Sequence, residues 1–384
     1  MFIDLTGRSK NKTYNTIGQP YKEEYKVYPL YQDKRYGLPL RPQRTVVQFN
    51  STYMELVDRW ESERGEITHI QGAAFLLGTF GCAVGLSITY LVYSDDGLSI
   101  AFLGILITTV ICFGILWFVI RLLSRELFTY TYFPVRFNRK NGKVYVIGAN
   151  KQVETYDWNK LKIHMQNDIN TPWDIRCCDV DDSGIIQRTF SLPFIHTSPN
   201  EFLKHHFDFV NAYMNSKTNK DIKHVADSIR HVFPIHKRKE TVKESIERSR
   251  FEFYNRWEDM EYPETSLDID LHYIAATPFW LLKLLGRRLA VLTSTTPHFP
   301  FEIEAECDID PKDKFDLNKN PPNPPRREYS LLEKAGIGVL LIVGSIIGLS
   351  VFALFIDIMG AARPHGDYPS FFKMLWDWLL FRWI

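Results

Sequence analysis

Two apolar stretches, His69–Tyr93 and Ser99–Leu123, stand five residues apart, and no charged side chain interrupts them before Arg121. A helix of about 20 apolar residues crosses a hydrocarbon core of ~30 Å, so each stretch is long enough for one crossing. The short link Ser94-Asp95-Asp96-Gly97-Leu98 makes the pair a tight helical hairpin. A third stretch, Ala335–Phe355, repeats the signal near the C-terminus. The expectation is a membrane protein of α+β class with three transmembrane helices: the hairpin plus one C-terminal crossing.

Charge orients that arrangement. The hairpin tip carries Asp95 and Asp96 and no Lys or Arg, whereas Arg59 and Arg64 precede the first helix and Arg121, Arg125, Arg136, Arg139 and Lys140 follow the second. Positive charge is retained on the cytoplasmic side, so the tip is expected outside. Lys319, Arg326, Arg327 and Lys334 before the third stretch place the C-terminal tail outside as well. No secretory signal peptide is read at Met1-Phe2-Ile3-Asp4, which lacks an apolar core. The chain divides into a cytoplasmic segment 1–67, the hairpin 68–124, a β domain 125–216, a helical region 217–325 ending in a Pro-rich linker, and a last helix with its tail, 326–384.

Several stretches suggest membrane contact. Thr277–Leu292 combines apolar residues with Lys283, Arg287 and Arg288, which share one helical face. Two readings fit: an amphipathic helix laying its basic face on anionic lipid, or a core helix with a basic outer stripe. The tail residues Trp376, Trp378 and Trp383 suit either an interfacial helix or packing on the outer ends of the membrane helices. The basic turn at Arg139 and Lys140 faces headgroups or water. The pairs Gly81–Gly85 and Gly344–Gly348 have the small-residue spacing of close helix packing, which suggests contact between the first and third helices within one chain or in a homo-oligomer.

Between Tyr132 and Leu192 the pattern changes to short alternating runs with turns at Asn141-Gly142 and Asp181-Asp182-Ser183-Gly184. About six antiparallel strands are expected, the clearest hairpin lying at Asn141-Gly142. Ser198-Pro199-Asn200-Glu201 then opens a helix carrying Phe202, His206, Phe209 and Tyr213, and a further helix is read over Glu240–Glu258. A meander closed by a helix, with Trp158 after the second hairpin, resembles the pleckstrin-homology-like domains of bacterial membrane proteins. The stretches Phe49–Trp60 with Arg64-Gly65, Phe209–Met214 and Thr296–Cys307 resemble an uncharacterised family of Gram-negative inner-membrane proteins encoded beside type VI secretion effectors. Phe209 and Phe299 stand where that family more often has tryptophan. The resemblance implies immunity against a toxin, or effector handling.

Chemistry leaves a weaker mark. There is no Gly-rich phosphate loop, zinc-protease helix, nucleophile elbow or paired-carboxylate motif. The histidines at 205, 206, 224, 231 and 236 lack ligand geometry, since neighbours on a helix diverge by ~100°. The five cysteines have no regular spacing and suit a reducing compartment; Cys177 and Cys178 would point to opposite faces of a strand. A net charge of +1 gives no field for nucleic acid. The first two membrane stretches carry no acidic residue and no Lys, and in the third the first ionisable side chain is Asp357 beyond its end, which argues against transport. The expected protein is not an enzyme, holds no cofactor or metal, and binds a cognate secreted toxin and membrane lipid. A lipid-sensing or effector-handling scaffold is the alternative.

Overall fold

The computed structural model describes residues 17–22, 28–61, 63–148, 150–166, 173–196, 201–229, 235–246, 248, 271–321 and 331–361, and in the tail 370, 373 and 376. The chain forms two compact units. The first, a β unit, draws on Met1–Arg64, Arg125–Glu240 and Ala290–Pro325; the second, a helical unit, draws on Gly65–Ser124, Thr241–Leu289 and Arg326–Ile384.

The β unit contains two antiparallel sheets. Strands β1 (Pro29–Leu30), β2 (Val46–Phe49) and β3 (Tyr53–Leu56) come before the hairpin helices α1 (Glu66–Asp96) and α2 (Ile100–Leu123). Six more follow: β4 (Val135–Asn138), β5 (Lys143–Ile147), β6 (Val153–Asp157), β7 (Lys162–Gln166), β8 (Trp173–Val180) and β9 (Ile186–His196). One sheet has the order β2-β3-β4-β5-β6 and the other β1-β7-β8-β9. The hairpin expected at Asn141-Gly142 joins β4 to β5, with Gly142 at φ 71° and the Asn138 side chain accepting from the Lys140 and Asn141 amides. Residues read from sequence as a separate N-terminal segment complete both sheets: Leu56 of β3 pairs with Val135 of β4 across the whole hairpin insertion, and Leu30 of β1 pairs with Ile163 of β7.

Helices α3 (Glu201–Met214) and α4 (Asn219–Ile229) follow β9. The Ser198–Asn200 part of the expected helix start lies outside the described residues. Trp158, 1% exposed, ties the layers together: its ring stacks on Phe207 of α3 and meets Phe137 of β4 edge-on at 5.8 Å. Tyr156 of β6 against Phe190 of β9, centroids 4.9 Å apart, joins the two sheets. Cys177 and Cys178 are both buried in β8, and burial pushes the Cys178 thiol up to about 11. These are core residues.

Besides a short helical stretch over 242–246, the remaining described helices are α5 (Leu271–Thr293), the short α6 (Phe301–Glu306) and α7 (Leu331–Ala361). Helices therefore occupy all three apolar stretches, but the expectation of three transmembrane helices is corrected. Among the described residues one helix, Phe102–Leu123 of α2, is long and apolar enough to cross a membrane. α2 is the most apolar of the three: Glu66, Thr68, His69, Gln71, Thr79, Ser87 and Thr89 dilute α1, and Glu333, Lys334, Ser345, Ser350 and Asp357 dilute α7. Residues 249–270 and 322–330, which include most of the expected helix over 240–258 and most of the Pro-rich linker, lie outside the described residues.

Candidate membrane interface

The hairpin is closed at its tip by two local devices. Gly97, at φ 63°, caps α1 by donating its amide to the Tyr93 carbonyl, and the Ser99 hydroxyl accepts from the Phe102 amide to start α2. Below the tip, small residues of α1 let α2 approach. A Cβ on Gly85 would stand 2.8 Å from Thr109 Oγ1, and one on Gly78 would stand 3.5 Å from Leu116 Cδ1. Thr89 and Thr109 hydroxyls lie 3.4 Å apart in the same seam, while each also donates to a carbonyl four residues back in its own helix. The packing stripe is thus Gly78, Gly85 and Thr89, with a spacing of seven and then four. Gly85 faces the second helix rather than the third, and a Cβ on Gly81 meets open space. Gly344 and Gly348 of α7 are buried.

With that seam on the inside, α2 turns bulky apolar residues outward: Val110 is 62% exposed and Trp117 60%, and Leu103, Ile107, Ile111 and Ile115 are exposed beside them. A face of this kind is unfavourable in water, because each apolar Å² left exposed forfeits about 25 cal/mol. At its end Arg121 lies over the Trp117 ring, 5.1 Å from its centroid, with its charge at the helix C-terminus.

Helix α5 departs from the sequence expectation. Its backbone touches the first turn of α1: a Cβ on Gly286 would stand 2.4 Å from the Gly65 carbonyl, and one on Gly65 would stand 2.2 Å from the Arg287 amide nitrogen. Gly65 has φ 97°, open to glycine and rarely to other residues. The expected basic outer face is turned in. Arg287 is 1% exposed, Lys283 Nζ lies 3.5 Å from Glu66 Oε2, and Arg288 donates to the Ser245 hydroxyl at 3.1 Å. What faces outward is Leu282, Leu285, Leu289 and Leu292.

The other expected surface residues sit as follows. The Arg139 guanidinium donates to the Ser51 and Ser216 carbonyls, fastening the β4–β5 turn to the β2–β3 turn and to the end of α3. Lys140 is exposed. Trp376 is half-buried, and Trp378 and Trp383 lie outside the described residues. Ser370 caps the tail by accepting from the Lys373 amide while donating to Asp357 at 2.7 Å.

In the β unit the sequence reading missed an ionic clamp. Arg136, fully buried on β4, stands opposite Glu55 on β3 and donates to it at 2.7 Å; its other edge makes two bonds of 2.9 Å to Glu304 of α6. The guanidinium is held between the Tyr53 and Phe299 rings, 4.4 and 4.1 Å from their centroids, and Lys237 reaches Glu55 at 3.0 Å. Burial raises the Glu304 carboxyl, but Arg136 outweighs it and leaves the group below its usual range. Glu306 accepts from Tyr145, Lys143 and Asn141, which lower it too. The three stretches quoted for the family resemblance meet here: Tyr53 and Glu55 come from the first, Phe299 and Glu304 from the third, and Tyr213 of the second donates to the Asn50 carbonyl and packs on Phe49. Their charges compensate one another, so the motifs build a structural joint. The sequence carried no direct signal for it, because Glu55, Arg136 and Glu304 lie far apart in the chain.

A second buried cluster surrounds Asp174, which pairs with Arg59 and Arg176 and accepts from Ser191. Burial raises this carboxyl and the two guanidinium groups more than offset it, so it stays ionised. His164 nearby is bonded to Tyr21 and Gln166, and burial lowers it to about 4. His206 of α3 is lowered to about 4 by burial as well, its Nδ1 facing the Arg41 carbonyl. Among the described residues no group of three His, Cys, Asp or Glu comes together in a way that could hold a metal.

Fold and surface together define a protein in which a hairpin of apolar helices is inserted between two neighbouring strands of an antiparallel β unit. Residues 112–311, over half of the chain, match the family of unknown function DUF6708, and the chain belongs to that family. No curated protein and no solved structure matches it.

Proposed function

We propose that this chain is a non-enzymatic immunity protein, held in the bacterial inner membrane by the α1–α2 hairpin, that neutralises a type VI secretion toxin acting at the membrane. The observation that carries this is the outer face of α2, where apolar side chains such as Val110 and Trp117 stand more than half exposed. Hydrocarbon accepts such a face, and so do the hydrophobic segments of a membrane-acting toxin. Neutralisation is then occlusion: the toxin's apolar segments pair with the hairpin instead of with each other. Arg59, Arg64, Arg121 and Arg125 flanking the hairpin, against Asp95 and Asp96 at its tip, support a cytoplasmic β unit in this reading. The link to a secreted toxin rests on the resemblance of the 49–60, 209–214 and 296–307 stretches. The β unit, resembling a pleckstrin-homology-like module, supplies a second binding surface. Two internal carbonyls engage Arg139, which leaves Lys140 as an exposed cation of that turn.

Two measurements test this. Inner membranes washed with alkaline carbonate retain the chain, and a bacterial host expressing toxin genes from its own gene neighbourhood survives only when the chain is present. Release by carbonate rejects the anchor; survival independent of the chain rejects immunity.

A further inference from the structure

We infer that α5 lies in the membrane interface with Leu282, Leu285, Leu289 and Leu292 in the hydrocarbon and its cations against the protein. This rests on the anchoring proposed for the hairpin and adds a second membrane contact to it.

The polarity of α5 is the first ground. A helix on a water-soluble protein buries its leucines and exposes its charges. Here the buried side carries Trp280, Gly286, Arg287, Ala290 and Val291, and the outward side carries four leucines spaced three, four and three residues apart. That order is inside-out, so the medium on the outer side is apolar. The cations of the helix are engaged inward, Lys283 with Glu66 and Arg288 with Ser245, so none is aimed away from the protein along the leucine stripe.

Position is the second ground. The close backbone contact between Gly286 and Gly65 fixes α5 at the first turn of α1, the end of the hairpin where polar residues give way to apolar ones. A helix crossing there lies at the level of the headgroups. The occupant that fits both the polarity and the position is a lipid monolayer.

The test uses the full chain in phosphatidylcholine–phosphatidylglycerol vesicles. Nitroxide labels are placed by Leu285→Cys, Leu289→Cys, Val110→Cys and Lys140→Cys, with the unsubstituted chain as background. Collision with oxygen, which concentrates in hydrocarbon, is compared with collision with a water-soluble nickel chelate. Oxygen is expected to dominate several-fold at 285, 289 and 110, and nickel at 140. Nickel dominance at 285 and 289 with oxygen dominance at 110 overturns the placement of α5 and leaves the anchor standing. Nickel dominance at all four positions overturns both. Spin–spin broadening at 285 that disappears on dilution with unlabelled protein assigns the stripe to a second copy of the chain and also overturns the inference. Two leucine positions guard against a single variant that misfolds.

Discussion

Arg136 is the residue on which the β unit is most exposed to mutation. Its charge is buried, and its stability comes from Glu55, Glu304 and two aromatic faces acting together. Removing one member of such a set leaves the others buried and uncompensated, which costs about 3–5 kcal/mol. Arg136→Ala is therefore expected to lower the stability of the purified protein by that amount in denaturant unfolding, whereas Lys143→Ala, at a half-exposed pair, changes it by less than about 1 kcal/mol. Phe128 makes the opposite case. It adopts φ 59° although it is a bulky residue, and it is 76% exposed, so little packing compensates the strain. Phe128→Gly is expected to raise the unfolding midpoint, by about 1 kcal/mol in free energy. A lowered midpoint would mean that the ring makes a contact worth more than its backbone conformation costs.

At the scale of elements, what was legible and what was not follows from where the pairing information sits. β4 to β9 could be read because each strand lies next to its partner in sequence and the turns carry Asn141-Gly142 and Asp181–Gly184. β2 and β3 are four residues each and buried throughout, so they show no alternation, and β3 finds β4 only beyond the whole helical insertion. The cue that remained was Asn50, whose side chain accepts from the Thr52 and Tyr53 amides and closes the β2–β3 turn. In α5 the helix was legible and its orientation was not, since the groups that draw its cations inward, Glu66 and Ser245, are distant in sequence. The glycines illustrate the same limit. GxxxG spacing draws attention equally to Gly81, which meets nothing, and to Gly85, which packs on Thr109, while it gives no hint of the closest backbone contacts, at Gly65 and Gly286. Gly286→Ala puts a methyl against the Gly65 carbonyl, a backbone atom that cannot rotate away. It is expected to cost on the order of 3 kcal/mol and to open the 271–293 segment to limited proteolysis. Gly81→Ala is expected to stay within about 0.5 kcal/mol of the parent. Equal effects at the two positions would count against the α1–α5 crossing.

For the whole molecule, the β unit holds His164 and His206 neutral, and this makes its stability depend on acidity in a defined direction. Burial lowers His164 and His206 to about 4, below the ordinary histidine value of 6.5. Between those values the unfolded chain binds protons that the folded chain refuses, so stability falls as pH drops from about 6.5 toward 4. Each imidazole contributes on the order of 3 kcal/mol across that interval if its shift is fully expressed. Asp174, held below its usual range by Arg176 and Arg59 against the cost of burial, adds a further loss only when pH falls through its own lower value. Asp58 and Asp208 oppose it: burial raises both, so their protonation favours the folded form as pH falls toward the ordinary carboxylate range. Because the carboxyls act in both senses, the comparison that isolates the imidazoles is between variants. His206→Gln keeps a donor for the Arg41 carbonyl and does not titrate; His164→Gln does the same at the other site. Denaturant midpoints measured from pH 7 to 4.5 are expected to fall steeply for the parent chain, less for each single variant and least for the double variant. Parallel curves for all four proteins would mean that neither ring is kept neutral by the fold.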